Sequence, residues 1–360
     1  MSRLLTHRWT VLPVVALVVL ALAWGRSPGG LVALAVATVL ASAVLSSVHH
    51  AEVLAHRFGE PFGSLLLAVA VTVIEVGLII TLTVGQAGAS SVARDTVFAA
   101  FMIATNGIVG ASLLAATLRG RVAVFNAEGS GAMLATLTAI AVLCLVLPNF
   151  TSSSPGPTYS TGQLLFVAVA ALSLYALFVF VQTVRHREHF EPVEGAPVTP
   201  HAALRPTGRG VLASALLLVV ALVAVVGLAK VLSPALESAV LEAGLPITTV
   251  GVLIAAMVLM PEAITAVLAA RADNDDVQRS FNLAYGSAMA SIGLTIPVVA
   301  VISIATDSTL LLGLSSANTL LLALTVAVSV LTVTPGRATL LQAGVHLTTC
   351  AAFLAVAVMP

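Results

Sequence analysis

The chain alternates long apolar runs with short polar punctuation. The runs have the length of membrane-crossing helices, since about 20 residues at 1.5 Å each span the roughly 30 Å hydrocarbon layer. On this pattern the sequence predicts helices near 10–24, 30–56, 61–84, 93–118, 130–148, 162–183, 211–243, 246–270, 277–304, 310–333 and 338–358, with 211–243 a single element bent at Pro234. The runs are too long and continuous for the roughly ten-residue alternating strands of a membrane barrel. The expected fold class is therefore an all-α polytopic membrane protein with eleven transmembrane helices.

The punctuation recurs. Glu52 lies nine residues before Pro61, with Gly59 two before that proline; Glu237 lies nine before Pro246, with Gly244 two before it. Each proline opens an apolar helix carrying one acid, Glu75 in Val71-Thr-Val-Ile-Glu-Val-Gly and Glu262 in Val258-Leu-Met-Pro-Glu-Ala-Ile. A charged loop and a helix of small residues follow in both halves, Ala104-Thr-Asn-Gly-Ile-Val-Gly in one and Tyr285-Gly-Ser-Ala-Met-Ala-Ser in the other. Helix 1 is thus followed by two five-helix units, helices 2–6 and 7–11. An odd number of spans per unit makes the two copies face opposite ways, an inverted repeat. The expected domains are an N-terminal helix at 1–29, a first repeat at 30–184, a linker at 185–209 and a second repeat at 210–360.

Composition agrees with the pattern. Hydrophobic residues make up 59% of the chain, charged residues 8%, and the mean hydropathy is +1.11, whereas soluble domains carry roughly 25% charged residues. Fifteen basic and fifteen acidic side chains balance, and no basic tract or aromatic ladder suits nucleic acid. Cys144 and Cys350 both fall within predicted spans without metal-ligand spacing, as small core residues do. The segment Thr10 to Trp24, with Arg3 and Arg8 ahead of it and Ala21 to Ala23 near its end, has features of a secretory signal. It is read here as a retained first helix, because the loop charges then sort by side. With the N-terminus cytoplasmic, Arg3, Arg8, Arg57, Arg119, Arg121, Arg185, Arg187, Arg205, Arg209, Arg271, Arg279 and Arg337 fall inside, and only Arg26, Arg94 and Lys230 fall outside. Moving one helix in or out of the count would scramble every later loop. The C-terminus is then expected outside.

Two acids carry the candidate chemistry. Glu75 and Glu262 lie roughly 20–25 Å along their predicted helices, where a charged carboxylate costs about 2.5–3.5 kcal/mol. No basic residue sits at comparable depth in a predicted helix. Paired carboxylates offer hard oxygen ligands suited to Ca²⁺ or Na⁺. Without the cation, burial and mutual repulsion favour their protonated forms, so cation and proton compete for one site. Calcium takes six to eight oxygens, and the candidates for the remainder are Asn106, Thr105, Thr72, Ser287 and Ser291, with carbonyls freed by Pro261. Asn106 stands out as an amide deep in a helix; the serines beside small residues equally serve close helix packing.

His49, His50 and Glu52, with His56 one turn on, form a polar group at the end of helix 2, readable as a proton relay or an interfacial cap. Glu237 has the same two readings at the opposite vestibule. Asp273, Asp275 and Asp276 lack an EF-hand pattern and read as a solvated turn. The linker residues His186, Glu188, His189, Glu191 and Glu194 offer pH- or metal-sensing chemistry, although a plain polar linker accounts for them too.

These residues resemble the Ca²⁺/H⁺ exchanger branch of the Ca²⁺/cation antiporter superfamily over nearly the whole chain after helix 1. The family's paired Gly-Asn-Ala-Ala-Glu helices match Glu75 and Glu262 by their acids, and its following Gly-Ser helices look like the Asn106 region and Gly286-Ser287. The stretch His49-His-Ala-Glu-Val-Leu-Ala-His-Arg-Phe-Gly-Glu-Pro-Phe-Gly is similar to the bacterial ChaA-type calcium/proton antiporters, a group also associated with sodium and potassium exchange. The resemblance implies a bacterial inner-membrane exchanger without cofactors, driven by the inward proton gradient and expelling Ca²⁺. Thr72 and Leu259 stand where the family has asparagines, and Ala290 where it has glutamine. Fewer oxygens open the alternative of Na⁺ or K⁺ as the exchanged ion. An intramembrane enzyme is not expected, since His49-His50 lacks the His-Glu-x-x-His spacing, and a passive channel has no need of midplane acids that protonate. The expected partners are lipid, cations and protons.

Overall fold

The computed structural model describes residues 2–58, 70, 72–80, 91–120, 122–191, 208–246, 248–271 and 277–359. Eleven helices occupy them: α1 (Ser2–Ala23), α2 (Gly30–Phe58), α3 (72–80), α4 (Val92–Arg119), α5 (Ala127–Phe150), α6 (Thr161–Arg185), α7 (Gly208–Glu242), α8 (Thr248–Arg271), α9 (Val277–Ala305), α10 (Ser316–Val333) and α11 (Leu340–Val358). Nine of the described helices are long and apolar enough to cross a membrane, and Trp9–Ala23 is a shorter apolar helix. Large apolar side chains such as Leu165, Phe166, Leu216, Val219, Leu320 and Leu331 point outward. Hydrocarbon is a favourable surrounding for them, and the helical backbone satisfies its own polar groups there. The fold is all-α and multi-pass.

Several boundaries follow from local chemistry. The expected helix 310–333 starts instead at Ser316, because the Ser315 hydroxyl caps it by accepting from the Asn318 N–H. The chain before it is held by other bonds: the Leu314 N–H donates to the Leu145 carbonyl at 2.8 Å, and the Asn149 amide to the Leu314 carbonyl at 2.7 Å. The α7 helix runs through Pro234 as one element and ends at Gly244, whose φ of +69° is the left-handed cap that a side chain would resist. Only 72–80 and residue 70 of the expected helix 61–84 are described. Gly59, Pro61, Asp273, Asp275, Asp276, Glu194 and the side chains of Glu52 and His56 lie outside the described residues.

The chain divides into two compact units, 1–89 with 201–250, and 90–200 with 251–360. In the first, α2 packs along α7 around Ala51, Leu54, Ala70 and Leu218. The α1 helix also lies against α7, where Gly227 makes room: a Cβ there would come within 2.5 Å of Leu20. Helix α3 meets α7 the same way, since a Cβ on Gly77 would lie 2.4 Å from the Val226 side chain. That contact fixes the helix two residues beyond Glu75.

In the second unit α9 is the buried centre, packed by α4, α5 and α6. Gly293 brings α9 against the Tyr175 ring of α6. Gly107 and Gly110 bring α4 against α11, at Cys350 and at His346 and Leu347. A two-residue antiparallel pairing, β1 (Ala123–Val124) with β2 (Arg337–Ala338), ties the turn after α4 to the turn before α11. Arg119 donates to the Arg271 carbonyl, covering the C-terminal end of α8.

The α3–α7 contact yields a stability prediction. Val226 is β-branched and cannot swing aside, so Gly77→Val should cost about 1–3 kcal/mol by overpacking. Val226→Ala in the same chain should recover most of that loss. Thermal unfolding in detergent measures both; additive effects in the double variant would show that the two positions do not touch.

Candidate functional site

Each predicted exchange acid is buried. Glu75 is 3% exposed on α3, with Thr72, also buried, one turn before it. Glu262 is 7% exposed on α8. Pro261 precedes it within the helix, so the Met257 carbonyl has no N–H to accept from one turn on. Both acids engage polar or electrostatic contacts. Glu75 belongs to the first compact unit and Glu262 to the second.

The sharpest geometry surrounds Asn106. Helix α4 relaxes into a π-helical turn over Ile103–Ile108, where the Val109 N–H reaches back five residues to the Ala104 carbonyl. Such turns mark functional sites in many helices. The Asn106 amide NH₂ donates to the Thr325 hydroxyl at 3.0 Å and lies 3.3 Å from that of Thr105, which itself donates to the Phe101 carbonyl at 2.6 Å. The Asn106 Oδ1 is 3.1 Å from His346 Nδ1, and His346 Nε2 is 3.1 Å from the Thr332 hydroxyl. With the amide NH₂ on Thr325, Oδ1 accepts from Nδ1–H, and a neutral imidazole then accepts from Thr332 through Nε2. Asn106, Thr105, Thr325 and His346 are all fully buried. The amide therefore has a structural purpose, tying α4 to α10 and α11. Oδ1 keeps a second lone pair for another partner.

The sequence reading passed over His346, Thr325 and Thr332. A signal was present, because a histidine inside a nineteen-residue apolar helix is an intramembrane ionisable group like the two glutamates. Thr332, which bonds His346, and Thr325, which bonds Asn106, have no such mark in a sequence where hydroxyls are common. Ser291 is buried on α9 and Ser287 half-buried one turn earlier.

The vestibule candidates have local partners. The His50 ring bonds the Trp9 carbonyl at 3.0 Å, and the His49 ring stacks on the Trp9 indole at 4.7 Å. With the Ser46 hydroxyl on the same carbonyl, these side chains fasten α1 to α2. Glu237 accepts from the Ser233 hydroxyl at 2.9 Å, one turn earlier on α7. Arg94, counted as an external loop charge, is an inward-turned group: it pairs with Asp95 at 2.8 Å and donates to the Gly313 carbonyl.

The sodium/calcium exchanger protein family matches residues 26–184 and 213–359, more than half of the chain. The chain belongs to that family. Two relatives share its length. One is y4hA of Sinorhizobium fredii (strain NBRC 101917 / NGR234), named as an ionic transporter, 46% identical over 325 residues that cover 90% of this chain and 88% of the relative. The other is the sodium-potassium/proton antiporter ChaA of Escherichia coli (strain K12), 34% identical over 351 residues, 96% of this chain and 94% of the relative. Among solved structures, that of the H⁺/Ca²⁺ exchanger CAX superposes with a TM-score of 0.73 at 19% identity, covering 96% of this chain and 86% of the other. The shared fold is that of a cation exchanger of the membrane. The two relatives are named as transporters.

The Asn106 network makes a prediction that sequence alone would not. Replacing His346 by Leu orphans Asn106 Oδ1 and the Thr332 hydroxyl, at about 1–3 kcal/mol for each buried group. His346→Gln can still donate and accept, so it should lose clearly less. Unfolding temperatures of the two variants in detergent compare them, and equal losses would mean that the imidazole only fills space.

Proposed function

We propose that the chain is a secondary cation/proton antiporter of the bacterial inner membrane, exporting Ca²⁺ from the cytoplasm in exchange for protons, with Glu75 and Glu262 as the groups that bind both. The observation that carries this reading is the burial of one glutamate on each of two corresponding helices, at 3% and 7% exposure. A carboxylate so placed is charged only when a cation compensates it and otherwise holds a proton. Family membership supports exchange as the transport mode. Two protons for one Ca²⁺ would make the cycle neutral. Thr72, Ser287 and Ser291 supply hydroxyl oxygens to the cation, with Thr105 and Asn106 shaping the α4 turn and the spare Asn106 lone pair completing the shell. Glu52, Glu237, His49 and His50 serve as vestibule or proton-relay groups, and the N-terminus is cytoplasmic with the C-terminus outside.

A second reading has its own support. Thr72 and Leu259 stand where the Ca²⁺/H⁺ exchangers have asparagines, and the Escherichia coli relative is named a sodium-potassium/proton antiporter. Fewer fixed oxygens suit a monovalent ion. Na⁺ or K⁺ then replaces Ca²⁺ on the same two acids, one proton exchanging for one ion.

Flux in proteoliposomes under an imposed pH gradient, with Ca²⁺, Na⁺ and K⁺ compared, separates the two readings. Glu75→Gln and Glu262→Gln mimic a permanently protonated site and should each abolish proton-coupled exchange of every ion while inserting normally. Glu52→Gln should only slow exchange or move its pH optimum. Exchange at near wild-type rate in either midplane variant would sink the mechanism.

A further inference from the structure

The chain following α6 does not leave the second unit at once. A single 3₁₀ turn, Arg187–Phe190, folds back onto the first turn of α5. The Phe190 ring is buried edge-on against Phe178. A relay of amides fixes the backbone: the Asn126 N–H donates to Gln278 Oε1 at 2.8 Å, the Gln278 amide to Asn282 at 2.9 Å, and the Asn282 amide to the Phe190 carbonyl at 2.6 Å. Gly129 completes the seat, because a Cβ there would lie 2.0 Å from the His189 carbonyl oxygen. These contacts on the turn carry no charge.

On this frame four metal-binding side chains converge. His186 Nδ1 lies 3.5 Å from Glu188 Oε1, and His189 Nε2 lies 3.9 Å from that same oxygen. His189 Nε2 is also 3.2 Å from Glu128 Oε2, on the first turn of α5. The ligand atoms of His186, Glu188 and His189 all lie within 4.8 Å of one another. The two imidazoles stack at 5.2 Å, an arrangement that two positive rings would oppose. The adjacent Arg187 is engaged by Glu191 at 2.9 Å.

We propose that His186, Glu188, His189 and Glu128 form a binding site for a first-row transition-metal dication of the Zn²⁺ class, separate from the transported-cation site. Tetrahedral Zn²⁺ with ligands at 2.0–2.2 Å has ligand-to-ligand edges of about 3.3–3.6 Å; the separations of 3.2, 3.5 and 3.9 Å are close to them, and Glu128, beside His189, swings toward His186 and Glu188 to complete the set. Two neutral imidazoles with two carboxylates balance a dication. Nitrogen ligands favour Zn²⁺, Co²⁺ or Ni²⁺ over Ca²⁺ and Mg²⁺, which take oxygen. Bound metal would clamp the start of the interhalf linker to α5.

The test uses the full-length chain in detergent, stripped with chelator, carrying Glu75→Gln and Glu262→Gln so that the proposed transport acids contribute no dication site. Zn²⁺ is titrated by calorimetry and Co²⁺ by its visible absorption. One Zn²⁺ per chain with a tetrahedral Co²⁺ spectrum, neither displaced by excess Ca²⁺ or Mg²⁺, is expected. Gly129→Ala, which displaces the His189 turn without removing a ligand, should weaken binding roughly 10–100-fold, the scale of lost outer-shell support. His189→Ala and Glu128→Gln should weaken it at least as much, with gel-filtration profiles unchanged. Absence of Zn²⁺ binding, or equal affinity in wild type and His189→Ala, overturns the site. Neither result bears on whether Glu75 and Glu262 exchange ions, since both are removed throughout.

Discussion

A carboxylate far inside an apolar helix has two stable states: neutral with a proton, or charged beside a cation. This constraint organises the chain. A fixed partner such as a buried arginine would hold the acid charged permanently and end any exchange. No basic residue lies within the predicted helices of Glu75 (61–84) or Glu262 (246–270), whereas Arg94 and Asp95, near the beginning of α4, do form a fixed pair. A helix carrying a buried acid can then be positioned by apolar and neutral contacts. Gly77 against Val226 supplies such a contact for α3 by letting backbones approach closely, and Gly293 against Tyr175 does the same between α9 and α6.

Neutral polar groups inside the bundle obey a related rule, because each must find a partner within the protein. The Asn106 amide meets the rule through Thr325 and His346, and His346 through Thr332. The π turn that presents Asn106 leaves α4 locally wider, and the same residues brace it. The arrangement places a buried histidine next to an amide whose oxygen has capacity for one more partner. Positioning and cation binding are thus compatible duties for Asn106, and substitutions at His346 separate them.

Much of this architecture was legible in the sequence because membrane helices report themselves by length and composition, which need no knowledge of tertiary contacts. The ends were less legible. Residues 310–315 are apolar enough to extend α10, yet they run as extended chain bonded to Leu145, Pro157 and Asn149. The acids stand out by their rarity and by the punctuation that recurs around them. His346 escaped because attention to charge passes over a group that is neutral when buried, and its partners come from positions more than two hundred residues away or on another helix. His49 and His50 were readable as a relay or an interfacial cap; their contacts with Trp9 arise from α1, whose packing no local pattern records. The linker was readable as a pH- or metal-sensing segment or as plain polar chain, and its first turn docks through Phe190, a single aromatic in a charged run.

The central claim is that one binding event excludes the other. It is tested most directly by counting protons released when a cation binds, using calorimetry of the detergent-solubilised chain in buffers of different ionisation enthalpy near neutral pH. Competition on the two buried glutamates predicts release of at least one proton for each Ca²⁺ or Na⁺ bound, with affinity rising as pH rises. Saturable binding of the cation with no proton released, at an affinity indifferent to pH, would contradict it.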